Sequence, residues 1–271
     1  MRPMGQNSPF EFFGSANEVR LGLARALVTL VLVLIVWQAV IAIFELPRFI
    51  LPSPLEVSFT LWQQAPSLLH HAGITLLEIV LGLLAGTVLG VGTALLINLI
   101  PAARRHIMPV VVASQALPVF AIAPMLILWF GLGLGSKIAM ATLIIYFPIC
   151  SALNDGLMRA QGDLIDLAKV NGATPLQTLL HFRLPAAMPS LASGLRVAAS
   201  IAPIGAIVGE WVGAAAGLGY VINQANARMQ TDTVFAALIV LIAMVILLRW
   251  IVDTALDRLV HWTPSTGNPA I

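Results

Sequence analysis

The sequence predicts an all-α, polytopic membrane protein. Of its 271 residues, 59% are hydrophobic and only 10% are charged, and the mean hydropathy is +0.95. A water-soluble domain with this composition would expose large apolar patches. The apolar residues also cluster into six segments long enough to cross a bilayer. Because lipid offers the backbone no hydrogen bonds, we expect each segment to be a helix of about 20 residues.

The six predicted spans are residues 24–44, 73–100, 107–130, 137–154, 187–209 and 233–252. Prolines in the third span (Pro109, Pro118, Pro124) and the fifth (Pro189, Pro203) predict bends. We expect residues 1–271 to form one transmembrane domain. Its predicted non-spanning parts include an N-terminal segment at 1–23, a long loop at 155–186 and a tail at 253–271.

The positions of Lys and Arg predict the orientation. With both termini in the cytoplasm, only Arg48, Lys137 and Arg228 lie outside. The cytoplasmic side then holds Arg2, Arg20, Arg25, Arg104, Arg105, Arg159, Lys169, Arg183, Arg249 and Arg258. Arg196 joins them only if its span begins later or its side chain snorkels inward. Because the basic residues are scattered and the net charge is only +2, we expect no nucleic-acid partner.

The predicted cytoplasmic loop at 155–186 contains the pattern of a first short helix. Either Asp163 or Asp166 lies in its first turn, where an anion suits the helix dipole. Gly172 supplies a stop signal. The apolar residues that share one face are Leu164, Leu167 and Ala168.

A second short helix is predicted immediately after it. Thr174 is a good N-cap, Pro175 is a good first residue, and Pro185 is expected to end the helix before the fifth span. Its apolar residues are Leu176, Leu179, Leu180 and Phe182. Periodicity alone leaves two interpretations open: a hairpin lying on lipid headgroups, or a knob that fits a groove on a cytoplasmic partner.

Residues 166–185, "DLAKVNGATPLQTLLHFRLP", resemble the EAA loop of bacterial ABC importer membrane subunits, E-A-A-x3-G-x9-I-x-L-P. The spacing is conserved throughout, although Asp replaces Glu, Leu replaces the first Ala and Phe replaces Ile. In that family the loop docks into a cleft on an ATPase subunit. The resemblance therefore implies an ATPase-docking role for Asp166, Leu167, Ala168, Gly172, Ala173, Phe182, Leu184 and Pro185.

Other segments extend the resemblance over most of the chain. Residues 51–57, 114–133 and 209–222 look like the nitrate, sulfonate and taurine branch of these permeases. Within that branch, residues 193–232 are most similar to permeases of thiamin-precursor importers, which take up a pyrimidine. Sulfonate, taurine or nitrate is the alternative substrate.

The resemblance also implies a set of partners and a location. A bacterial inner-membrane permease of this class works as two copies, here expected to be a homodimer, with two cytoplasmic ATPase subunits and an external solute-binding protein. ATP and magnesium would be used by the ATPase. This chain is expected to bind no cofactor and no metal.

The absence of catalytic motifs indicates that this chain is not an enzyme. The string most like a P-loop, "GLGLGSK" at 131–137, places Ser136 between its last glycine and Lys137. The patterns HExxH, GxSxG and CxxC do not occur. An ion-driven secondary transporter is the alternative from another class, and it would need polar groups at the membrane midplane. Glu78 is the only acidic residue well inside a predicted span.

Glu78 is the first candidate for the translocation pathway, because an ionisable group inside a membrane is costly. It begins a stripe with Gly82, Gly86 and Gly90 at four-residue spacing, which lets another helix approach closely. Glu78 is therefore expected to face protein. Either a structural pairing with an Arg or hydroxyl, or a role in translocation, fits this pattern.

The other pathway candidates are Gln115, Pro118 and Phe120 on the third span and Glu210 with Trp211 near the end of the fifth. An amide, a freed carbonyl and an aromatic face together suit a planar heterocycle. A regular helix separates Gln115 and Phe120 by about 140°, so they share a site only if the helix is broken at Pro118. A simple kink with packed neighbours is the favoured interpretation. Glu210 and Trp211 are expected to line the outer mouth or to meet the delivery protein, and an aromatic anchor at the membrane interface is an equally favoured interpretation of Trp211.

Overall fold

The structure is a computed structural model that describes residues 16–159 and 162–262, and it confirms the all-α prediction for that part of the chain. Residues 1–15 of the predicted N-terminal segment and 263–271 of the predicted tail lie outside the described residues. The α-helices are α1 (Ala16–Phe44), α2 (Pro54–Gln63), α3 (Ala65–Leu99), α4 (Pro101–Ala116), α5 (Val119–Phe130), α6 (Leu134–Met158), α7 (Gly162–Val170), α8 (Pro175–Gln177), α9 (Leu184–Gly213), α10 (Leu218–Ala227) and α11 (Thr231–Leu259).

Within the described residues, five helical stretches are long and apolar enough to cross a membrane, and α4 with α5 makes a sixth. The five correspond to α1, α3, α6, α11 and the stretch Pro175–Gly213 that ends in α9. The helices are longer than the predicted spans: α3 begins at Ala65 and α6 begins at Leu134. The loop elements α7 and α8 lie at one end of the bundle, called the α7 end. The short helices α2 and α10 lie at the other, called the α10 end.

The third span is broken rather than gently bent. The axes of α4 and α5 differ by 106° across Leu117 and Pro118. Pro118 has no N–H to continue the helix, and a residue before proline is driven into the extended region. Leu117 accordingly has φ −71° and ψ 120°. The favoured expectation of a simple kink at Pro118 is therefore wrong.

Helices α3, α6 and α9 form the centre of the bundle. The predicted glycine stripe of α3 lies against α6: a Cβ on Gly82 would lie 2.5 Å from Cβ of Ala141, and one on Gly86 would lie 2.5 Å from Cγ1 of Ile145. Small residues thus let the two backbones approach closely, as the spacing predicted. Buried branched side chains fill the rest of the interface, including Ile79, Ile149 and Leu153.

The two short helices at the α10 end fall outside the predicted spans. The N-terminus of α2 is closed by a capping box between Ser53 and Glu56. The Ser53 amide donates to the Glu56 carboxylate, and this bond holds the pKa of Glu56 below its usual range. Helix α2 is also tied to α11, because the Thr60 hydroxyl donates to Asp232 at 2.6 Å.

The prediction that Pro185 ends the second loop helix is wrong. A six-residue π-helical turn, Thr178–Arg183, connects α8 to α9 without a break. The Leu184 amide donates to the Leu179 carbonyl, five residues back. Pro185 follows directly and occupies the first turn of α9. The missing amide of Pro185 thus falls at the change from π-helical to α-helical hydrogen bonding, and the helix continues past it.

Candidate functional site

The loop at the α7 end begins with the helix that the sequence predicted. Asp163 lies in the first turn of α7, and Gly172 follows the last turn with φ +69°. The Gly172 amide donates to the Lys169 carbonyl at 2.9 Å and the Ala173 amide donates to the Ala168 carbonyl at 3.0 Å. These are the two hydrogen bonds of a Schellman motif. The predicted stop at Gly172 is confirmed, and it depends on a backbone conformation that favours glycine.

The second half of the loop is also capped as predicted. Thr174 is the N-cap of α8, and its hydroxyl accepts a hydrogen bond from the Gln177 amide. The Gln177 side chain accepts one from the Thr174 amide at 2.8 Å, which completes a capping box. Pro175 is the first residue of α8. Both halves of the loop are therefore fixed locally, so the loop presents a defined shape.

The loop has an inner and an outer face. Ala168 and Leu179 are buried against the bundle. Leu167, Val170 and Leu176 are 51%, 86% and 49% exposed. We call these three residues, together with the half-exposed Leu180, the apolar loop surface. Such a surface at the end of a membrane bundle needs either lipid or a protein groove to cover it.

The remaining residues of the predicted docking set lie around this surface. Asp166 is exposed and pairs with Lys169 at 3.0 Å. Pro185 is exposed, whereas Ala173, Phe182 and Leu184 are half-buried. The structure thus gathers the eight predicted positions into one segment. Only Ala168 among them is fully buried, so its part is to pack the loop onto the bundle.

The break in the third span opens a cleft of about 350 Å³ among α4, α5, α6 and α9. Gln115 lines it, together with Leu117, Phe147 and Val197. The cleft is bordered by the middle of α6 and of α9, and it is mostly apolar apart from Ser114 and Gln115. It therefore offers an apolar surface with an amide at its edge, near the centre of the membrane-spanning part.

Phe120 lies beside a different predicted residue. Its ring centroid is 6.1 Å from that of Trp211, at an interplanar angle of 45°. Both side chains are exposed on the surface of this chain. The fold thus brings together two candidates that are 91 positions apart in the sequence (211 − 120). Gln115 lines the cleft, whereas Phe120 does not, so the broken helix separates these two residues.

Glu78 is fully buried and pairs with a residue that the charge pattern placed outside the membrane. The Lys137 ammonium lies 3.2 Å from Oε1 of Glu78, and its side chain is only 8% exposed. Neither carboxylate oxygen of Glu78 makes a hydrogen bond of good geometry to another described residue. The contact is therefore an ion pair between α3 and α6. The expected structural pairing is present, but its partner is a lysine.

Glu210 is also buried, so it does not line an open mouth in this structure. Its carboxylate accepts hydrogen bonds from the Thr75 hydroxyl at 2.6 Å and from the Gly219 amide. The Leu218 amide donates to the Thr75 hydroxyl oxygen at 2.8 Å. Glu210 therefore fastens the beginning of α10 to α3 and α9.

Sequence reasoning missed Lys137 and Thr75. Thr75 precedes Glu78 by three residues and so extends the same helix face, which was a usable signal. Lys137 was assigned to the outer side because it is the first residue of a predicted span. In the structure α6 begins three residues earlier, so Lys137 lies within the helix. The sequence around Lys137 does not indicate which carboxylate it pairs with in the folded chain.

The bundle and its loop define a polytopic, all-α protein whose apolar helices are long enough to cross a membrane. Residues 65–262 match the model of the family described as "Binding-protein-dependent transport system inner membrane component". This match covers more than half of the chain, and the chain belongs to that family.

Three curated relatives are similar over most of their length. A probable ABC transporter permease of Haemophilus influenzae is 47% identical over 89% of this chain and 99% of the relative. A riboflavin transport system permease of Chloroflexus aurantiacus is 37% identical over 88% and 90%. A formylaminopyrimidine transport permease of Halalkalibacterium halodurans is 35% identical over 78% and 84%.

A solved structure supports the same fold. A chain of the MetNI methionine ABC transporter in an inward-facing conformation aligns with a TM-score of 0.62. The alignment covers 73% of this chain and 97% of that chain at 21% identity. At this identity the likeness concerns the fold alone.

Proposed function

We propose that this chain is the membrane-spanning permease subunit of an ATP-driven importer and that its α7 end meets a cytoplasmic ATPase. The apolar loop surface is the observation that carries the proposal. It is exposed and held in shape by two capping motifs, and its second half, from Pro175 onward, continues without interruption into α9. A groove on a partner protein would cover it and receive its movement.

The complete transporter would contain two copies of this chain, two ATPase subunits and an external solute-binding protein. Both termini of the permease would be cytoplasmic in the bacterial inner membrane, as the Lys and Arg distribution predicts. The whole chain would act as one transmembrane domain. The ATPase would bind magnesium and hydrolyse ATP, and this chain would bind no cofactor.

The proposed mechanism is alternating access by rigid-body coupling. ATP binding would close the ATPase dimer and displace the two loops. Because the loop is joined to α9 by continuous helix, its displacement would tilt α9 together with the helices packed on it. A change of this kind switches access between the two sides without covalent chemistry in the permease.

The substrate class that fits best is a planar nitrogen heterocycle, and a pyrimidine such as a formylaminopyrimidine is the specific proposal. The Phe120 and Trp211 rings are suited to stacking with such a molecule, and the Gln115 amide offers a separate hydrogen-bonding position in the cleft among α4, α5, α6 and α9. The names of two relatives, for riboflavin and for formylaminopyrimidine, point in the same direction. A sulfonate, taurine or nitrate is the alternative cargo.

Reconstitution in proteoliposomes with the cognate ATPase and binding protein tests this function. Uptake of labelled formylaminopyrimidine should require internal ATP and the ATPase, and excess unlabelled taurine should not compete. Uptake that persists without the ATPase, or that a proton gradient drives alone, would show an ion-coupled transporter instead. Competition by taurine but not by riboflavin would assign the sulfonate class.

The docking role of the loop is tested with two glycine variants. Gly172→Pro should abolish coupling of ATP hydrolysis to uptake, because proline cannot adopt the positive φ of the Schellman turn. Gly162→Pro is the matched control: it places proline at the first residue of α7, where proline is tolerated. Asp166→Lys should also weaken coupling while the protein still inserts. Full uptake by both Gly172→Pro and Asp166→Lys would refute docking through this loop.

A further inference from the structure

We propose that Arg183 is a positioning residue that carries the movement of the loop into α3 and α6. The inference rests on the proposed function. Arg183 is the last residue of the π-helical turn, and its guanidinium reaches both neighbouring helices. Nε and Nη2 donate to the Leu157 carbonyl at 3.0 Å and 2.7 Å, and Nη2 also donates to Oδ1 of Asn98 at 3.0 Å.

Each acceptor belongs to the last turn of a core helix. Leu157 is the penultimate residue of α6, where the final carbonyls have no partner within the helix. A cation there is favoured by the helix dipole. Asn98 is the penultimate residue of α3, and its amide donates to Oδ1 of the buried Asn154 at 3.1 Å. One guanidinium therefore joins the loop to the ends of α3 and α6.

Without this contact, the loop would be tied to the bundle by its continuous helix into α9 and by apolar packing. Apolar packing resists separation but allows sliding, because it has no direction. The Arg183 fork fixes both distance and orientation, as a planar guanidinium can and a lysine ammonium cannot. When the loop is displaced, α3 and α6 must follow it together with α9.

The test measures ATP hydrolysed per substrate transported in reconstituted complexes. Arg183→Ala should leave ATPase binding and basal hydrolysis intact and lower uptake by about tenfold, since hydrogen bonds to a charged group are lost at a point of coupling. Arg183→Lys should be intermediate. Asn98→Ala keeps the two bonds to Leu157 and should show a smaller loss. Arg105→Ala is the control, because it removes a positive charge at the same end of the bundle. Arg105 makes no hydrogen bond or ion pair to the described residues, so this variant should behave as wild type.

The outcomes separate this inference from the proposed function. If the wild-type complex shows no ATP-dependent uptake, the proposed function fails. If wild type transports and Arg183→Ala keeps an unchanged ratio of ATP to substrate, the positioning role is refuted. Should Arg183→Ala fail to insert, Arg183→Lys and Asn98→Ala decide: a raised ratio in both supports the role, and an unchanged ratio in both overturns it.

Discussion

The Lys137 ammonium lies 3.2 Å from the Glu78 carboxylate in the interior of the bundle, and it joins α6 to α3. Both side chains of this pair are buried, with the Lys137 side chain only 8% exposed. A charge in this setting is stable only while its partner remains, since removal of one member leaves the other desolvated and unpaired.

Lys137→Met should therefore lower the free energy of unfolding by about 3–5 kcal/mol. The double variant Lys137→Met with Glu78→Gln should recover much of the loss, because it removes the orphaned charge. Denaturant titration of the detergent-solubilised protein measures both. Lys169→Met breaks an exposed pair and serves as the control, with an expected change below about 1 kcal/mol. Equal losses at Lys137 and Lys169 would show that burial of the pair contributes nothing.

The close approach of α3 and α6 predicts a difference between two glycines of the same helix. Gly86→Ala should destabilise the protein by about 1–3 kcal/mol, because its methyl group would overlap Ile145. Gly92→Ala is the matched control, since a Cβ there meets nothing within 4 Å and alanine favours helix. Thermal unfolding followed by size-exclusion chromatography compares them. A Gly86→Ala protein as stable as Gly92→Ala would mean that the helices are further apart than the structure shows.

Arg196, which lies inside the fifth predicted span, forms ion pairs with acidic residues of α11. It contacts Asp253 at 3.1 Å and Asp257 at 2.5 Å, and Arg249 also contacts Asp253. The structure therefore gives Arg196 acidic partners, although the sequence left its placement open.

Arg196→Asp should lower the free energy of unfolding by about 2 kcal/mol, because like charges then meet across the two helices. Arg258→Glu reverses an exposed charge without an ion pair to a described residue, so it should have little effect. Adding Asp257→Arg to Arg196→Asp should restore part of the lost stability in the same denaturant assay, because Asp257 pairs with Arg196 and not with Arg249. No recovery in the double variant would argue against a direct interaction.

The proposed contact of Trp211 with the substrate predicts a larger effect at this residue than at another exposed tryptophan of the chain. Trp211→Leu should raise the KM for uptake of the heterocycle by up to about tenfold, since aromatic stacking contributes about 0.5–1.5 kcal/mol. Trp129→Leu changes another exposed tryptophan of the same chain and should leave the KM unchanged. Initial uptake rates over a range of substrate concentrations distinguish the two. Equal effects would indicate a general role of surface aromatics in the membrane.

The lowered pKa of Glu56 predicts that the stability of the protein depends on pH. Hydrogen bonds from Ser53 hold the pKa of Glu56 below its usual range, so the folded state favours the charged carboxylate. Its contribution is present above the unfolded pKa and is lost as the pH falls through the lowered folded pKa. Wild type should exceed Glu56→Gln by about 1 kcal/mol or less at neutral pH, and the two should converge in acid. A difference that grows as the pH falls would contradict this sign.

The sequence by itself determined the membrane spans, the glycine stripe and the two capped halves of the loop. These features depend on residues close together in the chain: apolar length, four-residue spacing, and the stop and cap at Gly172 and Thr174. Local hydrogen bonds and steric limits are sufficient to produce them.

Only the tertiary structure decided which distant residues meet. That Lys137 faces Glu78, that Phe120 lies beside Trp211 and that Arg183 reaches Leu157 depends on how α3, α6 and α9 pack. It also decided that Pro118 breaks its span whereas Pro185 does not interrupt its helix. Proline removes one amide in both cases, but the outcome depends on whether the surrounding turn needed that amide, and this is a property of the folded chain.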